Sequence, residues 1–549
     1  MNPSKPRRRA WRWLLAAAIV AVVIVVGVYI AGSRLSKHFE PYIREQAIRY
    51  LEDRFEAEVK IEALRVQVPR LSAWQWWNTK GRGIMGHIEA EGIEVRQRAR
   101  LSQPPLLAMK SFAFDIDLGT VMDPTKRIAL VKLDQVNLNI PPTGDRPKIL
   151  PAKKSSPQEQ PAPKQSKPSP VRIDVIDVNT AKLVILNRNP EKKPLVFDIH
   201  KLVLRSTGFD KPMNYDAQLT NPKPIGEVDS KGTFGPFQAG EPGNTPLGGT
   251  YSFSNADLGV FAGIAGILQS KGEFNGSLSS ILAKGQASVP DFRLKMAGHP
   301  VPLYTNFEVL VDGTNGNTEL RPVHARLGST RFTTSGGIIK HEGDYRRTID
   351  LDVNMPQGDL RDVLRLAMKG PPFMEGILAL KANIGIPPLK GRVREKLTLD
   401  GTFRVNNGKF LKSTIQDQLD TLSRRGQGQP QSQEIDEVVS HMQGKFRMRN
   451  EVIHFSDLRF GVPGADVLLA GDYDLDHDTL DFHGALKLQA KVSQTMTGWK
   501  RWVLKPVDPF FSKNGAGTFL RIQVVGSAKH PKFGLDKGHE DHNERARTQ

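Results

Sequence analysis

The feature that most limits what this chain can become is alternation. Across residues 59–68, 88–95, 112–118 and 131–140, and again from Val171 almost to Phe533, apolar side chains fall at every second position between Gly, Pro and Asp turns. Successive side chains of an extended strand point to opposite faces, so each run reads as a strand with one apolar face. Helical spacing is rare by comparison. The expectation is a mainly β chain, with a long antiparallel sheet and a few short helices. At 549 residues and 39% hydrophobic content, burial of a large core is no obstacle.

Gly-x-Phe triplets open many of these runs: Gly232-Thr233-Phe234, Gly272-Glu273-Phe274, Gly401-Thr402-Phe403, Gly408-Lys409-Phe410, Gly444-Lys445-Phe446 and Gly517-Thr518-Phe519. Glycine relieves the turn and phenylalanine fills the inner face of the strand that follows. The irregular spacing marks a repeated unit without a strict solenoid period. Three helical patterns interrupt the strands. One starts at Asp257-Leu258 and ends before Gly272, one starts at Asp359-Leu360 and ends near Gly370, and one carries Leu411, Ile415, Leu419 and Leu422 and stops at Arg424-Arg425-Gly426. Each Asp suits an N-cap, accepting from the first helical amides.

The N-terminus has a different character. After Lys5, Arg7, Arg8, Arg9 and Arg12, residues 13–31 are uninterruptedly apolar, about the ~20 residues that a helix needs to cross a hydrocarbon layer. This run is longer than the apolar stretch of a signal peptide and lacks a clean cleavage pattern, so it reads as a retained transmembrane helix. The positive-inside rule leaves residues 1–12 as a basic cytoplasmic tail and puts the rest outside, with Trp11, Trp13 and Tyr29 at the membrane interfaces. Residues 34–58 repeat Leu35, Phe39, Ile43, Ala47, Leu51 and Phe55 every four positions, an amphipathic helix that can lie on the bilayer or cap the following sheet. An N-terminal β region follows over 59–140. Residues 141–170 are Pro, Lys, Ser and Gln, a flexible insertion too polar to order itself, and 171–533 form the repeated β region. The tail 534–549 reads as disordered.

A formal charge of +19 attracts any polyanion, including nucleic acid and anionic lipid head groups. Trp74, Trp76 and Trp77 near Lys80 and Arg82 could stack bases, but the anchor places them outside the cytoplasm, so nucleic acid is not an expected partner. With no cysteine, disulfides, thiolate ligands and a cysteine nucleophile are excluded.

The stretch most suggestive of chemistry is GDYDLDHDTLDFHGALKLQA, residues 471–490. As a hairpin turning at Asp476-His477-Asp478-Thr479, it puts Leu480, Phe482, Leu486 and Leu488 on one face and Asp481, His483, Lys487 and Gln489 on the other. His477 and His483 are then on the order of 20 Å apart, too far to share a metal. The Asp472, Asp474, Asp476 series imitates a calcium loop, but His477 stands where Gly is required and His483 where a bidentate Glu is required. No nucleophile elbow, phosphate-cradling loop or His-Glu-x-x-His motif occurs. The sequence gives no catalytic residue, metal or cofactor to expect, and no enzyme.

An apolar sheet face must be hidden, and the helices are too few to do it. The sheet either closes on itself as a filled sandwich or curls into a trough that receives lipid chains, its lining including Val467, Leu469, Leu480, Phe482, Leu486 and Leu488. Periodicity is the same in both.

The anchor, the segment Tyr50-Leu51-Glu52-Asp53-Arg54-Phe55 before Val59-Lys60-Ile61, and the run from Gly444-Lys445-Phe446 through Gly471-Asp472-Tyr473-Asp474-Leu475 to Leu480 resemble the AsmA-like family of bacterial envelope proteins. The resemblance covers most of the chain and is clearest over residues 358–490, where Gly-and-hydrophobic patterns carry it. It implies a single-pass inner-membrane protein with its bulk in the periplasm, and a long curved antiparallel sheet forming an apolar, taco-like groove related to bridge-like lipid transfer proteins. It also implies phospholipid as partner, anionic lipid included, and a role in outer-membrane integrity. It offers no catalytic residues. The alternative function is a scaffold or assembly factor engaging an outer-membrane or periplasmic protein through sheet edges.

Overall fold

The computed structural model describes residues 44–45, 48–49, 52, 57–67, 84–97, 103–120, 126–141, 171–186, 193–207, 211–236, 238, 241–297, 299–341, 344, 346–431, 437–495, 517–528 and 530–536. The expected anchor with Trp11, Trp13 and Tyr29, the tryptophans at 74, 76 and 77, and all but the first residue of the 141–170 insertion lie outside these residues. Among the described residues no helix is long and apolar enough to cross a membrane.

The chain divides into two compact units, Met1–Val260 with Leu268–Gly285 and Leu310–Gly316, and Phe261–Ile267 with Gln286–Val309 and Asn317–Gln549. Both are mainly β. The first holds β1 (Ala57–Gln67), β2 (Met85–Gln97), β3 (Leu107–Asp117), β4 (Lys126–Ile140), β5 (Val171–Ile185), β6 (Leu195–Thr207), β7 (Met213–Pro222), β8 (Ile225–Phe234) and β9 (Pro246–Asp257). Each pairs with the next, antiparallel everywhere except β4 with β5, which run parallel from Lys126↔Val171 to Ile140↔Ile185. An all-antiparallel expectation is therefore corrected at that pair.

Alternate residues of β1 to β5 build the core of this unit. Ile61, Ile88, Ile93, Phe112, Phe114, Ile128 and Val131 are almost fully buried, with the two rings 5.5 Å apart. The helical residues ahead of β1 rest on this sheet. Ile48 packs against the core, Arg44 Nη1 donates to the Glu62 carbonyl at 3.2 Å, and Glu52 Oε1 accepts from the Val59 amide at 3.4 Å.

Five strands follow: β10 (Ile264–Ala265), β11 (Ile267–Ser277), β12 (Ser280–Val289), β13 (Arg293–Leu294) and β14 (Leu303–Val311), with β10 and β13 paired antiparallel. The helix expected from Asp257 is a correction: only the single 3-10 turn Leu258–Val260 forms. Gly263 at φ +95 and Gly266 at φ +133 hold backbone that no right-handed helix contains.

The second unit continues with β15 (Thr318–Leu327), β16 (Thr330–Ile339), β17 (Thr348–Asp359), β18 (Met374–Ile386), β19 (Thr398–Phe410), β20 (Ser440–Arg449), β21 (Val452–Val462), β22 (Ala465–Asp474), β23 (Thr479–Leu488), β24 (Thr518–Ser527) and β25 (Lys532–Leu535). Every neighbouring pair is antiparallel. The last strand runs two residues past the sequence boundary at 533.

Among the described residues three α-helices join these strands: α1 (Leu360–Ala367), α2 (Val393–Lys396) and α3 (Ser413–Gly426). The Asp359 side chain caps α1, accepting from the Arg361 amide at 2.9 Å, as its sequence position implies. Helices α1 and α3 leave the sheet at one end, and α2 leaves it at the other.

Candidate functional site

Residues two apart on a strand share a face, so every Gly-x-Phe triplet places a gap beside a ring. In β19 and β20 the register makes the two triplets reciprocal, with Gly401 opposite Phe446 and Phe403 opposite Gly444. A Cβ on Gly444 would lie 2.9 Å from Phe403 Cε1, so the ring takes the space that glycine leaves. Farther along, Gly471 stands between Phe455 and Phe482. The four rings connect across β19 to β23, with centroids 6.2 Å apart for Phe403–Phe446, 6.5 Å for Phe446–Phe455 and 5.7 Å for Phe455–Phe482. Such stacked and tilted pairs each add about 0.5–1.5 kcal/mol beyond area burial.

On the same face, the register aligns Leu380, Phe403, Leu458 and Leu469 in one row and Leu351, Ile384, Leu399, Ile453 and Leu480 in another. None of these side chains is fully buried. Met448, between Leu399 and Ile453 in the second row, and Phe482 are buried by the side chains around them, and α1 and α3 complete burial at their end of the face. Under α1, Leu360 packs with Met355, Met374, Leu378 and Val405, all under one tenth exposed. Under α3, Leu422 packs with Val438, Val462, Ala465 and Leu488.

The six residues expected as lining all fall on this face: Val467 opposite Leu486, Leu469 opposite Gly484, Leu480 opposite Tyr473, Phe482 opposite Gly471, and Leu488 opposite Ala465. Leu488 belongs to the protein-filled cluster under α3, with Leu486 packed against it. Phe482 is buried among rings. Val467, Leu469, Leu480 and Leu486 are half-buried. The half-buried rings Phe403, Phe446 and Phe455 were not named as lining in the sequence, although the Gly-x-Phe triplets containing the first two signalled them.

The other face of these strands is ionic. Arg447 Nε meets Asp400 Oδ2 at 3.0 Å, His454 Nδ1 meets Asp472 Oδ1 at 2.7 Å, and Arg459 Nε meets Asp457 Oδ1 at 3.0 Å. All six side chains are at least a third exposed, so each pair contributes about 0–1 kcal/mol and the face is a solvated one. A hollow of about 560 Å³ on this face over β16 to β19 is lined by Thr333, Asp352, Lys381, Asn383 and Asp400. Its carboxylates are engaged: Asn383 Nδ2 donates to Asp352 at 3.2 Å, and Arg447 holds Asp400.

The Asp/His-rich hairpin resolves into turn chemistry. Its strands end at Asp474 and resume at Thr479, so Thr479 is a strand residue and the turn sits one position earlier than the sequence suggested. Asp474 Oδ1 accepts from the Asp476 and His477 amides at 2.8 and 3.0 Å, and Oδ2 meets His477 Nδ1 at 2.8 Å. The backbone amide of His477, then its ring, holds the Asp474 carboxyl below its usual range, and Asp474 raises His477. Tyr473 donates to Asp478 Oδ1 at 2.9 Å, and burial followed by that carboxylate pushes the phenol up to about 12. His483 lies between Asp536 and Asp481, each at 3.1 Å, and is raised chiefly by Asp536. Among the described residues no group of three or more His, Asp or Glu is arranged to hold a metal.

Two buried carboxylates on the helices had no sequence signal. Asp362 Oδ2 on α1 accepts from the amides of Ser329 and Thr330 at 2.8 and 3.1 Å and from their hydroxyls at 2.7 and 3.0 Å. Asp420 on α3 accepts from the Glu437 and Val438 amides at 3.1 and 2.9 Å and from Gln416 Nε2 at 3.0 Å. Asp362 ties α1 to the start of β16, and Asp420 ties α3 to the residues just ahead of β20.

Comparison with protein-family models, curated proteins and solved structures returned no match.

Proposed function

We propose that the apolar face of β16 to β24 holds the acyl chains of membrane phospholipid in a non-catalytic, AsmA-like envelope protein. In this reading residues 13–31 anchor the chain in the inner membrane, the bulk lies in the periplasm, and the face forms one wall of a groove supporting outer-membrane integrity. The observation that carries it is the contrast within one sheet. Two helices fill one end of the face, while along the rest Phe403, Phe446, Phe455, Leu458, Leu469 and Leu480 stay half-buried around the buried Met448 and Phe482, opposite a mainly polar and charged side. An acyl chain lying there avoids a hydration cost of about 0.8 kcal/mol for each methylene.

The test is mass spectrometry of lipid extracted from the full chain after exhaustive removal of detergent. Phospholipid is expected at a fixed ratio to protein, and a lipid-free, folded protein would defeat the reading. A second reading, a scaffold that docks a protein partner at a sheet edge, has one observation in its favour. Strand β25 is only four residues long and leaves Phe533 74% and Leu535 58% exposed. That reading expects co-purified protein lost on substituting Phe533, with no lipid.

A further inference from the structure

The end of the second unit opposite α1 and α3 carries a different surface. Strands β16 and β17 join through residues 340–347, and β18 and β19 through 387–397, so both connections leave the sheet side by side. Together they hold seven Lys and Arg against three Asp and Glu. Lys340, Arg346, Lys390 and Arg392 are exposed. Two aliphatic side chains stand among them in water, Ile339 at 38% and Leu389 at 60% exposure.

The second connection is held rigidly. Arg394 grips Glu451 through Nε and Nη2 at 2.9 and 3.1 Å and reaches Asp476 at 3.1 Å, which bolts α2 to the β20–β21 and β22–β23 turns. Arg392 pairs with Glu395 at 2.7 Å, and Lys396 donates to the Leu389 carbonyl at 2.8 Å. Burial first, and Arg346 second, hold the Lys396 ammonium below its usual range, so cations of the two connections lie close together. The loop is fixed from beneath and presents Leu389 and Lys390 outward.

We propose that Lys340, Arg346, Lys390 and Arg392, set around Leu389, form a docking surface for the anionic face of a phospholipid bilayer, with Leu389 entering the head-group region. A rigid cluster of cations around an exposed aliphatic tip complements a surface that is negative outside and apolar just beneath. A soluble acidic protein would satisfy the charge but not the aliphatic tip. The surface is separate from the residues of the apolar face, so the two readings stand or fall independently.

The test immobilises the full chain through a C-terminal tag and measures capture of vesicles of phosphatidylcholine alone or with one third phosphatidylglycerol. Phosphatidylglycerol-dependent capture is expected, falling as salt rises. K340Q/K390Q should weaken it about 25-fold and L389S about tenfold. K445Q/K487Q, with the same loss of charge on the ionic sheet face, should leave capture unchanged. All variants should keep the wild-type lipid content in mass spectrometry; loss of that lipid in K340Q/K390Q or L389S would overturn the separation of this surface from the apolar face, whereas a wild-type chain that captures vesicles but carries no lipid would count against the apolar face alone. Equal loss in the K445Q/K487Q control, equal capture of pure phosphatidylcholine, or no effect of K340Q/K390Q overturns the proposal. So does equally tight capture of poly-glutamate with L389S silent, which would mark a generic polyanion surface.

Discussion

Leu469→Asp separates an occupied face from a packed core. Leu469 is half-buried in β22 between Leu458 and Gly484, in the row beside the phenylalanine rings. In a lipid-free protein the new carboxylate can reach water, so the cost is the partial burial of one leucine, about 1–2 kcal/mol. With an acyl chain across the strands the cost is larger. The strand spacing of about 4.8 Å corresponds to about four methylenes of that chain, and at about 0.8 kcal/mol each they represent about 3 kcal/mol, or two orders of magnitude in affinity. Val405→Ala is the counterpart: Val405 is 2% exposed in the cluster under α1, and its truncation should remove about 2 kcal/mol of stability while leaving lipid in place. Lipid-to-protein ratio by mass spectrometry and urea unfolding are read on both variants. Wild-type lipid content in a folded L469D protein would refute the assignment of the face. A stability loss in L469D well beyond that of V405A would show that Leu469 is closed core.

Three further outcomes follow from the same geometry. Asp362→Ala strands the amides of Ser329 and Thr330 and should cost about 3 kcal/mol, with those two amides exchanging hydrogen much faster; unchanged exchange would show that water replaces the carboxylate. The raised pKa of His483 means that its pairing with Asp536 and Asp481 is fully present below the ordinary imidazole value and fades as pH rises through the higher folded value. Amides of β25, corrected for intrinsic rates, should then be better protected near about pH 6 than near about pH 8, with the difference absent in H483Q. Gly484→Ala drives a Cβ into the Leu468 carbonyl and to 2.9 Å from Leu469 Cα, so its urea midpoint should fall by the equivalent of about 1–3 kcal/mol.

Alternation made the strands legible: the runs at 59–68 and 131–140 appear as β1 and β4 because a two-residue period admits no other regular structure. The helix after Asp359 was equally legible, since an N-cap precedes a run without glycine. The run after Asp257 has similar apolar spacing, but Gly263 and Gly266 occupy positive φ there, and conformation at glycine leaves no mark on periodicity. The common face of Val467, Leu469, Leu480, Phe482, Leu486 and Leu488 on β22 and β23 was readable because a short turn fixes which strands pair. Phe403 opposite Gly444 was not, because Gln443 and Arg404 become neighbours only through a register set by α3 and the strands around it. Asp362 and Asp420 look in sequence like ordinary polar positions of a helix; what they satisfy lies 33 and 18 residues away.

The parallel alignment of β4 and β5 places a physical demand on the thirty residues between them. Because Ile140 ends one strand at the level of Ile185 while Val171 begins the other at the level of Lys126, the chain must travel back about fourteen residue rises, about 46 Å at 3.3 Å each. A link cut below about fourteen residues cannot close the distance even fully stretched. The register of the two flanking strands thus sets a least length for whatever joins them.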